Sequence, residues 1–458
     1  MLGGEIRSFL TCYNRSSACR DLCQWFTGAS PELREMIERT GLSHLPHAMF
    51  KNLDTPLLTA FVERWQPDTN SFHMPFGEMT IQLHDVWQIL RIPIDGPMVS
   101  ESPPTDSIHA MCMMMFGVSQ AELLLPTSHL WAGGGVFVEA VQGLLAEGRD
   151  DATRATAWMW LMLGSILFVD KSGDRIRPAH LHEVYSGVSG AAGLSWGSAT
   201  LAMLYRQLGI ASRGDCSGIC GCLTLLQAWI YEYFPVFRPH RGAHLIPADH
   251  VRALRWEVGV PGKTTARLDI FRGQLDRMTA AEVTWLSYGP VADDDRLRVS
   301  YAGWIRCRDI VEPYMPDRAL RQVGYTQPIP AERIRPDKAV RPWKSLSYRL
   351  THSLVTVEDT WRRFPSARGI DRRRCRPVGY DPTACDPAYM DWYRQYSHPH
   401  LLHAPQAGPV QHARANSEFW VSWLWRVTQL SATHRSDEDV PRIKREMDEF
   451  MDAWHRAS

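Results

Sequence analysis

Short-range punctuation limits this chain more than any other feature. The stretch 57–99 reads LLTAFVERWQPDTNSFHMPFGEMTIQLHDVWQILRIPIDGPMV, with apolar residues at helical spacing interrupted by Pro67, Gly77 and Pro93. Leu57, Leu58, Phe61, Val62 and Trp65 fall on one helical face. Pro67 stops that helix, since proline has no backbone N–H and clashes with the preceding turn. Residues 72–81 alternate loosely about Gly77, which predicts an extended pair joined at a turn. A second helix is predicted over 83–90, presenting Leu83, Val86, Trp87 and Leu90, with Gln82 as cap candidate and Pro93 beyond its end. The expected unit is helix, hairpin, helix, with no evident chemistry of its own.

The same mixture recurs along the chain. Its 458 residues are enough to bury one large core, and 45% apolar with 22% charged residues is ordinary globular usage. The 18 tryptophans sit mostly in helical apolar patterns, which assigns them to packing rather than ligand stacking. The fold class expected is mainly α, a single large helical domain with a few short β-strands or hairpins. Fifty basic and 50 acidic residues cancel, so no global field draws the chain to nucleic acid. No apolar run is long enough to span a bilayer, so no membrane partner is expected. Ten cysteines without an apolar leader point to a reducing, intracellular setting.

Helices are predicted at 31–40 behind a Ser30 cap, at 136–145, 152–168, 196–208, 222–234, 268–278, 357–364 and 388–396. The pair 196–208 and 222–234 reads as a hairpin of helices. Residues 316–324 read as a short helix stopped by Gly324, and 297–307 as a strand. Four prolines between 327 and 343 mark a linker. The Met-rich run MCMMMF at 111–116 belongs to an amphipathic helix, with a partner groove as the weaker alternative.

Candidate chemistry is sparse. Cys12, Cys19 and Cys23 lack a fourth ligand at finger-like spacing, and Cys216, Cys220 and Cys222 with His240, His244 and His250 match no known zinc pattern, so no metal is expected. The glycines 133–135 have no following Lys-Ser or Lys-Thr and are no phosphate loop. Glu63, Glu78, Asp85 and Asp95 invite a nuclease-like reading, but their spacing is that of surface and turn acids. Arg372, Arg373, Arg374 and Arg376, in the most basic run of the chain, are the candidate nucleic-acid contacts, against a solvated or acid-paired loop.

LLTAFVERW, FHMPFGEMTIQLHDVWQIL and IPIDGPMV are followed in order by LFVDKSGDRI from Leu167, LSWGSATLAMLYRQL from Leu194 and GCLTLLQAWIYEYFP from Gly221. WIRCRDIVEPYMPDRALRQVGYTQPIP from Trp304 and YMDWYRQYSHPHLL from Tyr389 complete the series. Together these co-linear blocks resemble the plant mobile domain of MAINTENANCE OF MERISTEMS-like proteins and plant transposable elements. The resemblance divides the chain into a variable segment 1–40, the domain 41–402, and a linker with a helical tail at 403–458. Its motif core falls on Trp65, His73, Gly77, Glu78, Asp85, Trp196, Gly197, Trp229, Pro316 and Asp317.

The resemblance implies a nuclear, non-catalytic scaffold or adaptor in transposable-element silencing, genome integrity and meristem maintenance. It also implies a phosphoprotein-phosphatase-like partner, since some family members are fused to such a domain. This chain carries no GDxHG, GDxxDRG or GNHE string, so that activity would come from the partner. The alternative is a transposon-encoded protein with metal-dependent nuclease-like or nucleic-acid-binding activity. The label "aminotransferase-like" attached to the family would require a buried Schiff-base lysine. Lys171, in a charged turn, is a poor candidate, and no cofactor is expected.

Overall fold

The computed structural model describes residues 9–397, apart from 101–103, 126–127, 133, 186, 214–215, 240–245, 248–249, 290–300, 331–353, 364–374, 378–380 and 382. The described chain is mainly helical, with short strands in two- and three-stranded sheets. The expected tail helices after 403 lie outside the described residues, as does most of the proline-rich linker.

Each element of the 57–99 stretch forms, with shifted edges. Helix α1 is Thr55–Val62 rather than 57–65, because Asp54 accepts a capping bond from the Leu57 N–H and Pro56 occupies the first turn. Trp65 instead begins strand β1, Trp65–Gln66, which pairs antiparallel with β2, Ser71–Met74. Strand β3, Gly77–Met79, returns along β2 with Phe72 opposite Met79 and His73 opposite Glu78. Helix α2, Leu83–Leu90, starts where Asp85 accepts the Gln82 N–H at 2.6 Å, and ends at Arg91 in the left-handed conformation.

Helices α3, Trp196–Ala211, and α4, Leu223–Tyr233, are buried along nearly their whole lengths. The sequence reads them as a hairpin of helices, and α2 packs against both. Helix α5, Thr265–Arg277, lies on α1, and the antiparallel pair β4, Gly303–Cys307, and β5, Ile310–Tyr314, lies on α3. Helix α6, Tyr389–Tyr396, buries Tyr389 and Tyr393.

The centre is aromatic. Phe72 stacks on Trp229 with centroids 5.2 Å apart, while Trp65 meets both Phe72 and Tyr205 edgewise or tilted. Phe61 packs edge-on to Phe72, Trp229, Phe234 and Phe237. Trp65, Trp158, Trp160, Trp196, Trp229 and Trp285 are among the largest fully buried side chains, the packing role their helical spacing predicts. The Met-rich helix Thr105–Phe116 buries Cys112 and Met115 and exposes Met114.

Residues 9–40 are built into this same core. Thr11–Cys12 pairs parallel with Gly218–Ile219, and helices Ser16–Gly28 and Pro31–Glu38 pack on Asp151–Met162. Two other boundaries move. The helix expected over 136–145 is a strand, Gly135–Phe137, followed by a helix, Val138–Gly143. The helix expected over 152–168 is α-helical only across Asp151–Met162, then widens into a π-helical turn, Leu163–Leu167.

Close packing shows most clearly at Gly197, where a Cβ would stand 2.5 Å from Ile94 Cγ2 and 2.9 Å from the Pro93 carbonyl oxygen. Gly197 therefore lets the start of α3 approach the chain just beyond α2, where its N–H donates to Pro93 O at 2.6 Å. Gly197→Ala is expected to cost about 1–3 kcal/mol by overpacking, read as a lower denaturation midpoint with an unchanged slope. An unchanged midpoint would show that this contact relaxes freely.

Candidate functional site: a buried charge network on the β2–β3 hairpin

The hairpin carries a charge where its sequence suggests a solvent-facing turn. Glu78 is 1% exposed, on β3, opposite His73. Its Oε1 accepts from Ser71 Oγ at 2.9 Å and from Arg318 Nε and Nη2, each at 2.9 Å, with His73 Nε2 at 3.2 Å. Burial alone would raise this carboxyl pKa, but His73 and Arg318 outweigh it and hold it below the ordinary carboxylate value.

Arg318 belongs to the 3-10 segment Pro316–Val323, which binds the hairpin with a series of side chains. Gln322 makes a reciprocal pair with Thr80, accepting its N–H and donating to its carbonyl, both at 2.9 Å. Arg321 donates to Phe76 O at 2.9 Å and stacks over Trp285 at 4.2 Å. These contacts satisfy hairpin backbone groups that no neighbouring strand reaches. Helix α6 closes the other side: Tyr389 Oη accepts the Glu78 N–H at 3.1 Å, and Tyr393 donates to Met74 O at 2.8 Å. Gly77, at φ +124°, permits this closeness, because a Cβ there would lie 2.4 Å from Arg321 Nη2 and 2.9 Å from Tyr389 Oη.

Two further carboxylates extend the network. Glu312 on β5 takes the Arg206 guanidinium and accepts from Asn70 Nδ2 at 3.3 Å, tying the β1–β2 turn to α3 and β5. Asp85 is 1% exposed; its Oδ1 accepts from Tyr233 at 2.8 Å and Tyr288 at 3.0 Å. Burial raises the Asp85 pKa to about 7, against the opposing pull of those bonds and of Gln82 N–H. Glu63, by contrast, forms a two-pronged pair with Arg272 of α5.

Comparison with known proteins agrees with this architecture of co-linear motif blocks. Residues 41–394 match the plant mobile domain. The chain belongs to the plant mobile domain family. It is 31% identical over 411 residues to Protein MAIN-LIKE 2 of Arabidopsis thaliana, covering 85% of this chain and 57% of that protein. Against Protein MAINTENANCE OF MERISTEMS of the same plant it is 29% identical over 418 residues, covering 88% of this chain and 81% of the relative. A third relative, Serine/threonine-protein phosphatase 7 long form homolog from Arabidopsis thaliana, is 31% identical over 454 residues. That alignment covers 93% of this chain and 32% of the relative. No solved structure matches.

Within this plant mobile domain, the motif residues form two connected groups. His73, Gly77 and Glu78 meet at the hairpin, with Pro316 and Asp317 opening the segment that carries Arg318; Gln327 Nε2 donates to the Asp317 carbonyl at 2.9 Å. Trp65 and Trp229 flank Phe72 in the aromatic centre, Asp85 caps α2, and Trp196 and Gly197 begin α3. The expectation that Glu63, Glu78 and Asp85 are surface or turn acids is corrected: Glu78 and Asp85 are buried, and Glu63 is largely covered by Arg272. They do not converge on one point, because each is matched to its own arginine or tyrosines, while Asp95 lies exposed elsewhere.

Sequence reasoning missed Arg318, Arg321, Gln322, Tyr389 and Tyr393. The available signal was the set Asp317, Arg318, Arg321 and Gln322 flanking Ala319 and Leu320 in one short segment. Arg372, Arg373 and Arg374 lie outside the described residues; Arg376 is exposed and pairs with Asp386. Lys171 stands exposed in its turn, 3.6 Å from Cys216 Sγ, a setting that does not fit a Schiff-base lysine. Among the described residues, no group of three or more His, Cys, Asp or Glu side chains is placed to hold a metal ion.

Two experiments test the network. Glu78→Ala and Arg318→Ala should each destabilise by about 3–5 kcal/mol, and the double variant by clearly less than their sum. Strict additivity in urea melts would refute the pairing. The Asp85 and Glu78 shifts act with opposite signs on pH dependence. Asp85, raised when folded, contributes stability that is complete below its unfolded value near 4 and is lost as pH climbs through about 7. Glu78, depressed when folded, contributes above its unfolded value and loses that contribution only in acid. Asp85→Asn should therefore flatten the decline in stability between about pH 4 and 7, with a pH-independent cost of about 1 kcal/mol for the lost acceptor at Gln82. A decline as steep as in the parent would contradict the assignment.

Proposed function

We propose that this chain is a non-catalytic nuclear adaptor of the MAIN-like kind, acting in transposable-element silencing, genome integrity and meristem maintenance. The observation supporting it is the use made of the motif acids. Glu78, Asp85 and Glu63 are each matched to side chains of the fold itself, so they build a rigid platform. A catalytic carboxylate needs access to substrate or metal, which burial under Arg318 and Tyr389 denies Glu78.

The platform's partner, in this reading, is a phosphoprotein-phosphatase-like protein. The relative named as a phosphatase homolog holds a region similar to almost all of this chain within a polypeptide about three times the aligned length. A module joined to another in one protein commonly meets it as a separate chain elsewhere, and here the phosphatase would be supplied in trans. The chain spans just over half of MAIN-LIKE 2 and a third of the phosphatase homolog, so the rest of such assemblies lies outside it.

Affinity capture from plant nuclear extract with the whole chain tests this, alongside a variant with Arg372, Arg373 and Arg374 changed to alanine. Both forms should recover a phosphatase-like protein, and a fluorescent fusion should accumulate in nuclei. Recovery of nucleic acid by the parent alone, or metal-dependent strand cleavage abolished by Glu78→Gln, would sink the adaptor reading.

A further inference from the structure

A second cluster of charge lies at the end of α4, around Glu232 in the block that begins at Gly221. Glu232, 1% exposed, is ringed by three arginines from two nearby segments. Arg252 Nη2 donates to Glu232 Oε2 at 3.1 Å and to Ser287 O at 3.2 Å. Arg255 Nη1 approaches the same Oε2 at 3.5 Å, and Trp256 Nε1 donates to Oε1 at 3.1 Å. Arg238 completes the ring through backbone carbonyls, donating to Tyr231 O at 2.6 Å and Glu232 O at 2.9 Å.

Among the described residues the charges here do not balance: three guanidiniums stand about the single carboxylate of Glu232. Burial, and then repulsion from Arg255 and Arg252, draws the Arg238 pKa below its ordinary value. The guanidiniums are held in place by aromatic faces: Arg238 and Arg255 lie over Trp256 at 5.4 and 4.8 Å, and Arg252 over Tyr288 at 5.0 Å. Such stacking fixes the donor fork before any ligand arrives, which lowers the ordering cost of binding. Arg255 and Arg252 also reach solvent, with side chains 26% and 13% exposed.

We propose that Arg238, Arg252 and Arg255 form a recognition site for a phosphorylated serine or threonine side chain on a partner protein. A phosphomonoester carries about −1.5 to −2 charges at neutral pH, which matches the excess of the ring. Its three terminal oxygens accept several charge-assisted bonds from converging guanidiniums. A nucleic-acid backbone instead presents single charges strung along a line and calls for a basic track rather than a compact ring. The flanks also suit a peptide, since Leu254 and Val236 are 42% and 52% exposed beside the arginines. This inference goes beyond the adaptor reading and does not depend on the identity of any phosphatase-like partner.

The test uses the whole chain and a degenerate phosphothreonine-centred peptide library, the same library with unmodified threonine, and a 20-base-pair DNA duplex. The phosphorylated library should be retained, the unmodified one not, and Arg255→Gln should weaken retention roughly tenfold. Arg255 makes one long contact to Glu232 and lies over Trp256 at the solvent edge, so its variant should stay folded, which its melting curve checks. Arg238→Lys, which keeps charge but loses the planar fork, should weaken retention too. Equal retention of both libraries, tighter binding of the duplex, or retention indifferent to both variants at unchanged stability would each overturn the proposal.

Discussion

One carboxylate organises the centre of this fold. Glu78 sits on a three-residue strand that would be too short to persist alone, since an isolated hairpin is marginal in water. Its charge draws Arg318 from a segment 240 residues away, and the same segment then delivers Gln322 to Thr80 and Arg321 to Phe76. Desolvating that charge is costly, and the convergence of Ser71, Arg318 and His73 on its Oε1 makes it tolerable. The hairpin, the 3-10 segment and helix α6 therefore stand or fall together. What the ion pair contributes is chiefly a unique arrangement of these pieces, while the aromatic centre beneath supplies most of the burial.

Glycine and tyrosine make that arrangement close. At Gly77 the chain takes a left-handed conformation and leaves room for a guanidinium and a phenol where a side chain would otherwise stand. Tyr389 and Tyr393 each carry an apolar ring into the interior and a hydroxyl to a backbone atom of the hairpin. Asp85 shows the same economy at the start of α2, where one carboxyl both caps the helix and gathers two tyrosines. A platform assembled in this way is suited to presenting a surface, which fits the adaptor role better than a chemical one.

Local features were legible in the sequence because their causes are local. The turn at Gly77, the helix over 83–90 and the stop at Gly324 follow from residues within a few positions of one another. The burial of Glu78 was not, since its cause is Arg318, and the period-two pattern around it is compatible with a solvent-facing acid. Helix α1 begins earlier than its apolar face suggests because Asp54 caps it and Pro56 fits its first turn. The zero net charge concealed the arrangement around Glu232, where the local excess appears only after α4 and the Arg252–Arg255 turn come together. The family motifs are legible as strings, whereas the meeting of His73 and Glu78 with Arg318 depends on contacts between distant blocks.

The central claim is that hairpin, 3-10 segment and α6 form one cooperative unit with the aromatic core. Native-state amide hydrogen exchange on the full chain tests it most directly. The account predicts that amides of Phe72, His73, Glu78 and Thr80 exchange only with global unfolding, at the same free energy as the buried amides of α3. Hairpin amides that exchange through a separate, lower-energy opening while α3 stays protected would contradict it.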